Sequence, residues 1–285
     1  MKKNKDMGIL YVVATPIGNL KDITIRGLQT LRDVDFIAAE NIKRAKKLLS
    51  VYDIKTKIIS YREENRERAT RMIIDKINDG KNIALISDAG TPTVSDPGDY
   101  LIKKCVEGGI PVVPVPGPSS IICALSVSGL DTSEFSFLGF LARKGKKRLE
   151  QISKIEGDGR TSVIFESPKR IAKTLSDILN IIGERKAAVC RELTKLNEEV
   201  IRGSLSVIID ELEKRGEIKG EIVLMVSGGG GIRSRLDRDD LISEVKKYVE
   251  QNPEKKTKEV AKILAARLGV SVKEIYKIAV GERED

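Results

Sequence analysis

Several residue types that often carry catalysis are scarce or missing in this chain of 285 residues. It has no histidine and no tryptophan, and aromatic residues make up 4% of it. Without imidazole, proton transfer must fall to Asp, Glu, Lys, Tyr, backbone or water, and histidine-based triads are excluded. The few aromatics predict aliphatic cores and give no sign of a base-stacking platform.

Cysteine and long apolar runs are also scarce. Cys105, Cys123 and Cys190 lie far apart among apolar neighbours, so neither a disulfide framework nor a metal site is expected. Buried, reduced thiols are typical of a cytoplasmic protein. No run approaches the length of a membrane span, and the basic start lacks the apolar segment of a signal peptide.

Charge and apolar residues are plentiful. The net charge is +9, with 40% hydrophobic and 33% charged residues, a composition typical of soluble globular proteins. The length predicts about two domains. The positive balance fits an anionic partner such as nucleic acid, and it equally fits a solvated lysine-rich surface.

Short β-branched runs alternate with helical patterns. This alternation predicts an α/β fold with a largely parallel sheet. The predicted strands of the first half are Ile9–Ala14, Phe36–Ala39, Lys57–Tyr61, Ile83–Ser87 and Val112–Val115. Those of the second half are Phe135–Leu138, Ser162–Phe165, Ala187–Cys190 and Ile222–Val226.

Proline and glycine divide the chain into three predicted domains. The Pro-rich turn before Ser119 separates an α/β domain at 1–116 from a second α/β domain at 117–231. The run Gly228–Gly231 predicts a flexible hinge that ends the second domain. Residues 232–285 predict a small helical domain with spacing similar to a helix-turn-helix, or a plain helical hairpin.

Two loops predict close backbone contact with a ligand. Ala14–Leu20 and Ser87–Gly98 each follow a strand and precede a helix, where ligands of open α/β sheets bind. Neither loop has the spacing of a phosphate-binding loop. The alternative is a structural turn in which Asp96 is the N-cap of a helix and Pro97 its first residue.

The order of several motifs resembles the tetrapyrrole-methylase superfamily, most closely its branch of small-subunit ribosomal RNA methyltransferases. The resemblance covers roughly residues 8–280. The motifs that carry it are Val13–Leu20, Ser87–Gly98, Pro116–Ser120, Gly139–Lys144, Phe165–Pro168, Arg191–Lys195 and Gly220–Leu224.

The resemblance implies a homodimer that binds S-adenosylmethionine in a cleft between two α/β domains. It implies methylation of a cytidine ribose 2′-hydroxyl in the 16S rRNA of the small ribosomal subunit. The strand at Phe165-Glu166 and the segment Arg191–Leu193 would close the cleft. The cofactor contacts it implies are Pro16, Ser87, Asp88, Ala89, Gly90, Ser119 and Ser120.

The stretch Asn41–Ala45 and two further positions depart from the pattern of the superfamily. Asn41 stands where members usually carry Asp, and an Asp that oriented substrate or acted as a base would be lost. Arg62 and Lys169 stand where members commonly carry His, which keeps basic character without titration near neutrality.

Methyl transfer to a ribose hydroxyl benefits from a base or a stabilising cation. Glu192 and Lys195 are the predicted catalytic residues, and Asp88 and Glu166 are further candidates. Glu192 and Lys195 would share one face if their segment were helical. An ordinary surface ion pair is the alternative.

A basic segment predicts contact with RNA phosphates. Between Ala142 and Lys195 there are 14 Lys and Arg residues against 7 Asp and Glu residues. The predicted RNA-binding residues are Arg143, Lys144, Lys146, Lys147 and Arg148, with a solvated surface as the alternative. Two other functions stay open: a corrin or sirohaem precursor methylase, and a non-catalytic RNA-binding assembly factor.

Overall fold

Five parallel strands form the first sheet of the computed structural model, which describes residues 7–216, 218–229, 238–253, 255–268 and 272–284. The strand order is β3-β2-β4-β1-β5. The parallel arrangement confirms the α/β prediction for this half of the chain. The strands are β1 Leu10–Val13, β2 Phe36–Ala39, β3 Lys57–Ser60, β4 Ile83–Ile86 and β5 Val112–Val115.

Helices cover both faces of this sheet, which explains why its central strand, Ile83–Ile86, is a continuous and fully buried apolar run. Alternate residues of β4 enter different cores: Ile83 and Leu85 join one, whereas Ala84 and Ile86 join the other. The first core includes residues of α3 and α4, and the second includes residues of α1 and α2. These helices are α1 Ile25–Asp33, α2 Ile42–Val51, α3 Arg66–Asn78 and α4 Asp99–Glu107.

The second sheet is mixed, unlike the first. Its order is β6-β7-β10-β8-β9, in which β6 pairs parallel with β7 and the other neighbours are antiparallel. Its strands are β6 Phe135–Phe140, β7 Thr161–Glu166, β8 Lys186–Arg191, β9 Glu199–Ser204 and β10 Ile222–Val226. The helices of this part are α5 Ser120–Ser128, α6 Lys146–Glu156, α7 Ile171–Ile182 and α8 Leu205–Glu213.

The described tail is helical, as predicted from its sequence. Its helices are α9 Arg238–Gln251, α10 Thr257–Leu268 and α11 Val272–Glu284. They share a core of their own that includes Val245, Leu264 and Ile275. The predicted Gly-Val-Ser turn between the last two helices lies outside the described residues.

The chain divides into two compact units. The first comprises the chain up to Ala124 together with Glu192–Glu198, and the second comprises Leu125–Arg191 and the chain from Glu199 onward. The domain boundaries predicted at 116/117 and 231/232 stay predictions. No helix within the described ranges is both long and apolar enough to cross a membrane.

The first half of the predicted glycine hinge is closely packed. A Cβ at Gly228 would lie 1.9 Å from the carbonyl oxygen of Gly159, and one at Gly229 would lie 2.7 Å from that of Glu156. The Gly229 amide also donates to the carbonyl of Asp158 at 2.9 Å. Close backbone approach therefore explains these two glycines, while Gly230 and Gly231 lie outside the described residues.

Candidate active site

Three loops meet at the carboxyl edge of the first sheet. Residues 14–19 follow β1, residues 87–98 follow β4 and residues 116–119 follow β5. Because β4, β1 and β5 are neighbours in the sheet, their following loops lie side by side. This is the edge at which open parallel sheets bind ligands.

Hydrogen bonds join the three loops into one surface. Thr15 and Gly90 exchange two backbone hydrogen bonds, both 2.9 Å long. The Thr15 hydroxyl donates to the carbonyl of Ser87 at 3.3 Å, and the Thr91 hydroxyl donates to that of Pro118 at 3.4 Å. Gly90 has φ 77°, a conformation in which a side chain is strained. The surface is therefore held before any ligand arrives.

All the residues predicted to contact the cofactor lie on this surface or at the start of α5, but they differ in exposure. Pro16, Ser87 and Gly90 are buried, whereas Asp88, Ala89, Ser119 and Ser120 are partly exposed. The Ser87 hydroxyl lies 3.2 Å from the carbonyl oxygen of Ala89 and 3.3 Å from that of Gly90. Ser87 thus shapes the second loop.

A cluster of carboxylates lies at the same edge. Burial is the main reason that the pKa of Asp96 rises to about 6, with Glu40 and Asp88 reinforcing it and a hydrogen bond to Ser87 opposing it. Burial and the charge of Asp88 also raise the pKa of Glu40. Arg44 pairs with Asp88 at 3.2 Å. These three carboxylates concentrate negative charge beside the loops.

Sequence reasoning missed Glu40 and Asp96 as members of this cluster. Glu40 directly follows the buried strand β2, and this position could have indicated that it lies at the ligand-binding edge. Asp96 was considered as a helix N-cap, and that alternative is wrong. The helix begins at Asp99, and Gly98 with φ 139° is its N-cap. Asp96 instead turns toward Ser87 within the loop.

The tip of the second loop has unusual backbone geometry. Thr93 and Ser95 have φ angles of 76° and 66°, which non-glycine residues rarely adopt. Val94, between them, is 37% exposed. Strained backbone of this kind persists where the surrounding structure fixes it, and it is common in ligand-binding loops.

The predicted catalytic residues lie in a turn that belongs to the same unit as these loops. Lys195 and Glu192 form an ion pair of 2.9 Å, with both side chains mostly buried. The segment is not helical: Glu192 has φ 51°, and the Lys195 amide donates to the carbonyl of Glu192 at 3.0 Å. The expected pairing is present, but a turn creates it.

This turn packs against the first loop. The Asn19 amide donates to the Thr194 hydroxyl at 3.0 Å. A Cβ at Gly18 would lie 2.5 Å from Cγ of Lys195 and 2.9 Å from the carbonyl oxygen of Leu193. Glycine at position 18 therefore lets the Glu192–Lys195 pair approach the loop.

Asn41 is the N-cap of α2. Its side-chain oxygen accepts hydrogen bonds from the amides of Lys43 at 3.0 Å and Arg44 at 3.3 Å. Asn and Asp cap helices about equally well, so the replacement preserves this role. The helix that Asn41 begins carries the Arg44 that pairs with Asp88.

Four of the five predicted RNA-binding residues are exposed: Arg143, Lys144, Lys146 and Lys147. Arg148 is not, and its assignment is corrected. It is 4% exposed, and its guanidinium binds Asp177 at 2.8 Å, Thr174 at 3.0 Å and the carbonyl of Ala142 at 3.1 Å. A guanidinium with these partners cannot reach a phosphate.

Glu166, a further candidate base, belongs to the same buried network. Its carboxylate accepts hydrogen bonds from Thr174 at 2.6 Å and from the Ser167 amide at 2.8 Å, and it pairs with Arg170 at 3.3 Å. Arg170 also donates to the carbonyl of Leu141 at 2.8 Å. The network therefore fixes the start of the basic segment.

Comparison with known proteins identifies the family. A family model described as Tetrapyrrole (Corrin/Porphyrin) Methylases matches residues 9–209. The chain belongs to this methyltransferase family. A relative from Halalkalibacterium halodurans, named Ribosomal RNA small subunit methyltransferase I, is 40% identical over 97% of this chain and 96% of its own length. A Thermotoga maritima protein of the same name is 46% identical over 78% of this chain and 99% of its own length.

Solved structures confirm the fold. A cobalt precorrin-4 methyltransferase matches 76% of this chain and 94% of its own, with a TM-score of 0.59 and 16% identity. Uroporphyrin III C-methyltransferase from Thermus thermophilus matches 77% of this chain and 97% of its own, with a TM-score of 0.55 and 16% identity. At this identity the likeness concerns the fold alone.

Proposed function

We propose that the chain transfers a methyl group from S-adenosylmethionine to the 2′-hydroxyl of a cytidine in the 16S rRNA of the small ribosomal subunit. The main support from the structure is the surface formed by the three joined loops and their carboxylates. The names of the relatives support the choice of rRNA. The proposal includes a homodimer, which light scattering of the purified protein would test.

The residues of the site fit the proposed donor. S-adenosylmethionine carries a cationic sulfonium and an ammonium group, and it supplies an activated methyl group when bound. Glu40, Asp88 and Asp96 offer negative charge to such a cation, and Arg44 offsets part of it. The loop backbones supply amides and carbonyls at the same edge. The main contribution of the loops and carboxylates is to align the methyl donor.

Lys195 and Glu192 would act on the hydroxyl that receives the methyl group. As the hydroxyl loses its proton, negative charge develops on its oxygen, and a lysine ammonium stabilises such charge. Glu192 holds that ammonium at 2.9 Å and offers a carboxylate for the released proton. Gly18 keeps this pair against the first loop.

The exposed residues Arg143, Lys144, Lys146 and Lys147 would bind phosphates of the rRNA. Each phosphate contact releases counterions, so the affinity for RNA should weaken steeply with salt. Lys146 also lies 3.7 Å from Glu150, which offsets part of its charge.

Methyl transfer assays distinguish this proposal from its alternatives. The purified protein should move labelled methyl from S-adenosylmethionine to small ribosomal subunits that lack the modification, and primer extension should locate the methylated nucleotide. Transfer to uroporphyrinogen instead of rRNA would favour a tetrapyrrole precursor methylase. RNA binding without donor binding would favour an assembly factor.

The assigned donor site has its own test. Asp88→Ala removes one carboxylate of the cluster and leaves Arg44 uncompensated, so calorimetry should detect a large loss of affinity for S-adenosylmethionine. Asp75→Ala, an exposed carboxylate on α3, is the matched control. Equal affinities in the two variants would refute the site.

A further inference from the structure

A groove of about 720 Å³ lies at the opposite edge of the first sheet. Phe36 and Lys57, which line it, are the first residues of β2 and β3. The groove therefore opens at the amino ends of the strands. Val34 and Ile54 add apolar area to its lining.

Basic side chains outnumber acidic ones in the lining of this groove. Arg32, Lys55, Lys57 and Lys81 line it, against the carboxylates Asp35 and Asp53. Lys76 does not line the groove, but its Nζ lies 4.3 Å from the centre of the ring of Phe36, which does.

Both carboxylates already have cationic partners. Asp35 accepts hydrogen bonds from Lys81 and from the amide of Asn82, both at 2.9 Å. Although burial opposes the change, these donors lower the pKa of Asp35 and keep it ionised. Asp53 lies 3.7 Å from Lys55. The pairs cancel much of each other's charge.

Two lining cations remain in excess, Arg32 and Lys57, and Lys76 lies beside the ring of Phe36. Within the described part of the chain, Arg32, Lys57 and Lys76 form no ion pair with a carboxylate. Arg32 is nevertheless held, since it donates to the carbonyl of Tyr52 at 3.2 Å. The contact with the Phe36 ring likewise restrains Lys76. Arg32 and Lys76 therefore carry positive charge on side chains whose motion these contacts restrict.

We propose that this basic groove is a second RNA-binding surface, which binds the phosphodiester backbone of the substrate rRNA away from the methylated nucleotide. The inference rests on the proposed function. The four-residue strands that separate the groove from the active edge span about 13 Å. A polynucleotide can bridge that distance, and several dispersed cations suit its repeated phosphates better than one small anion.

The groove can be tested through the salt dependence of RNA binding. The double variant Arg32→Ala/Lys57→Ala removes the two lining cations that have no carboxylate partner among the described residues. The control Arg71→Ala/Lys103→Ala removes equal charge from exposed positions that do not line the groove. For each protein, the Kd for purified 16S rRNA is measured over a range of salt concentrations, and calorimetry with S-adenosylmethionine checks that the donor still binds.

The groove variant should weaken RNA binding and reduce the slope of log Kd against log salt by about 1.5, since each lost phosphate contact contributes about 0.7 to 0.9. Its donor affinity should equal that of the wild type. Equal slopes in the groove variant and the control would overturn the inference. So would a loss of binding to intact small subunits without a loss on free rRNA, because a protein contact would then explain the groove.

Measurements on the wild type distinguish failure of the groove inference from failure of the proposed function. If the wild type methylates small subunits and the groove variant keeps its full RNA slope, the groove inference alone fails. If the wild type neither binds nor methylates rRNA, the proposed function fails as well.

Discussion

The surroundings of Asp96 raise the pKa of its carboxyl group and make it a weaker acid than an ordinary Asp. It is partly buried, and Glu40 and Asp88 lie close enough to oppose its ionisation. In a chain without histidine, such a carboxylate supplies a group that titrates near neutrality. A cation bound at this edge would favour the charged form, which links ligand binding to proton release.

Asp96→Asn should change the pH dependence of stability. The pKa of Asp96 is about 6 in the folded protein, against 3.8 for an ordinary Asp, so its protonated form stabilises the fold. This contribution is complete below the lower value and is lost as pH rises through 6. The Asn variant, which stays neutral, should gain up to about 3 kcal/mol over the wild type between pH 4 and pH 7.

Urea unfolding at successive pH values measures the difference. Asp75→Asn on the exposed surface of α3 serves as the control, and it should follow the wild type throughout. Parallel curves for the wild type and Asp96→Asn would contradict the assigned environment.

Gly18→Ala should impair methyl transfer by displacing the turn that carries Glu192 and Lys195. The new Cβ would lie 2.9 Å from a backbone oxygen and 2.5 Å from the Lys195 side chain, so the turn must shift. Overpacking of this kind costs about 1 to 3 kcal/mol. Gly157→Ala is the control, because its Cβ would meet nothing within 4 Å. Equal turnover in both variants would argue against a catalytic role for the pair.

At the scale of elements, sequence periodicity predicted most of the first sheet. Its inner strands β1, β2 and β4 are short, largely buried apolar runs, which makes their boundaries clear. The edge strand β9, with sequence Glu-Val-Ile-Arg-Gly-Ser, was missed because its charged residues dilute that signal. The antiparallel pairing of the second sheet was missed too, since alternation of strands and helices does not fix strand direction.

Some features of the candidate site were likewise predictable from the sequence, and others were not. Loops after strands were visible as Gly and Pro punctuation, and the structure joins them. The burial of Arg148 was invisible, because a run of basic residues gives no sign of which one turns inward. Arg148 is the third residue of α6, and its side chain contacts Thr174 and Asp177 of α7.

Arg148→Ala should therefore act on stability. The change leaves Thr174 and the carbonyl of Ala142 without their buried donor. Asp177, which is 27% exposed, keeps Lys173 at 3.9 Å. We expect a cost of about 1 to 3 kcal/mol. Lys147→Ala, the exposed neighbour, should change the free energy of unfolding by less than about 0.5 kcal/mol. Chemical denaturation compares the two, and similar values would show that the buried network contributes little.

At the scale of the whole molecule, the C-terminal helices form a separate core. Their buried residues, which include Leu241 and Val260, share no member with the core of the second sheet. The Thermotoga maritima relative is matched over 99% of its length by 78% of this chain, so about a fifth of this chain has no counterpart there. The family model ends at residue 209 and so does not include the C-terminal helices.

A chain truncated after Gly229 should keep its affinity for S-adenosylmethionine. The truncation retains both sheets and the contact of Gly229 with Asp158. The sheets should therefore still unfold cooperatively, with a midpoint temperature within a few degrees of that of the full-length chain. Calorimetry and thermal unfolding test this. Aggregation or loss of donor binding on truncation would mean that the helices support the sheets.

The exposed Val94 at the tip of the second loop offers an optical consequence. Because the chain has no tryptophan, an indole introduced as Val94→Trp would be the sole emitter of its kind. It would stand between two residues with left-handed backbone, two positions before Asp96 of the carboxylate cluster. Excited at a wavelength that the six tyrosines do not absorb, it would report ligand binding at this edge through its emission, without an added label.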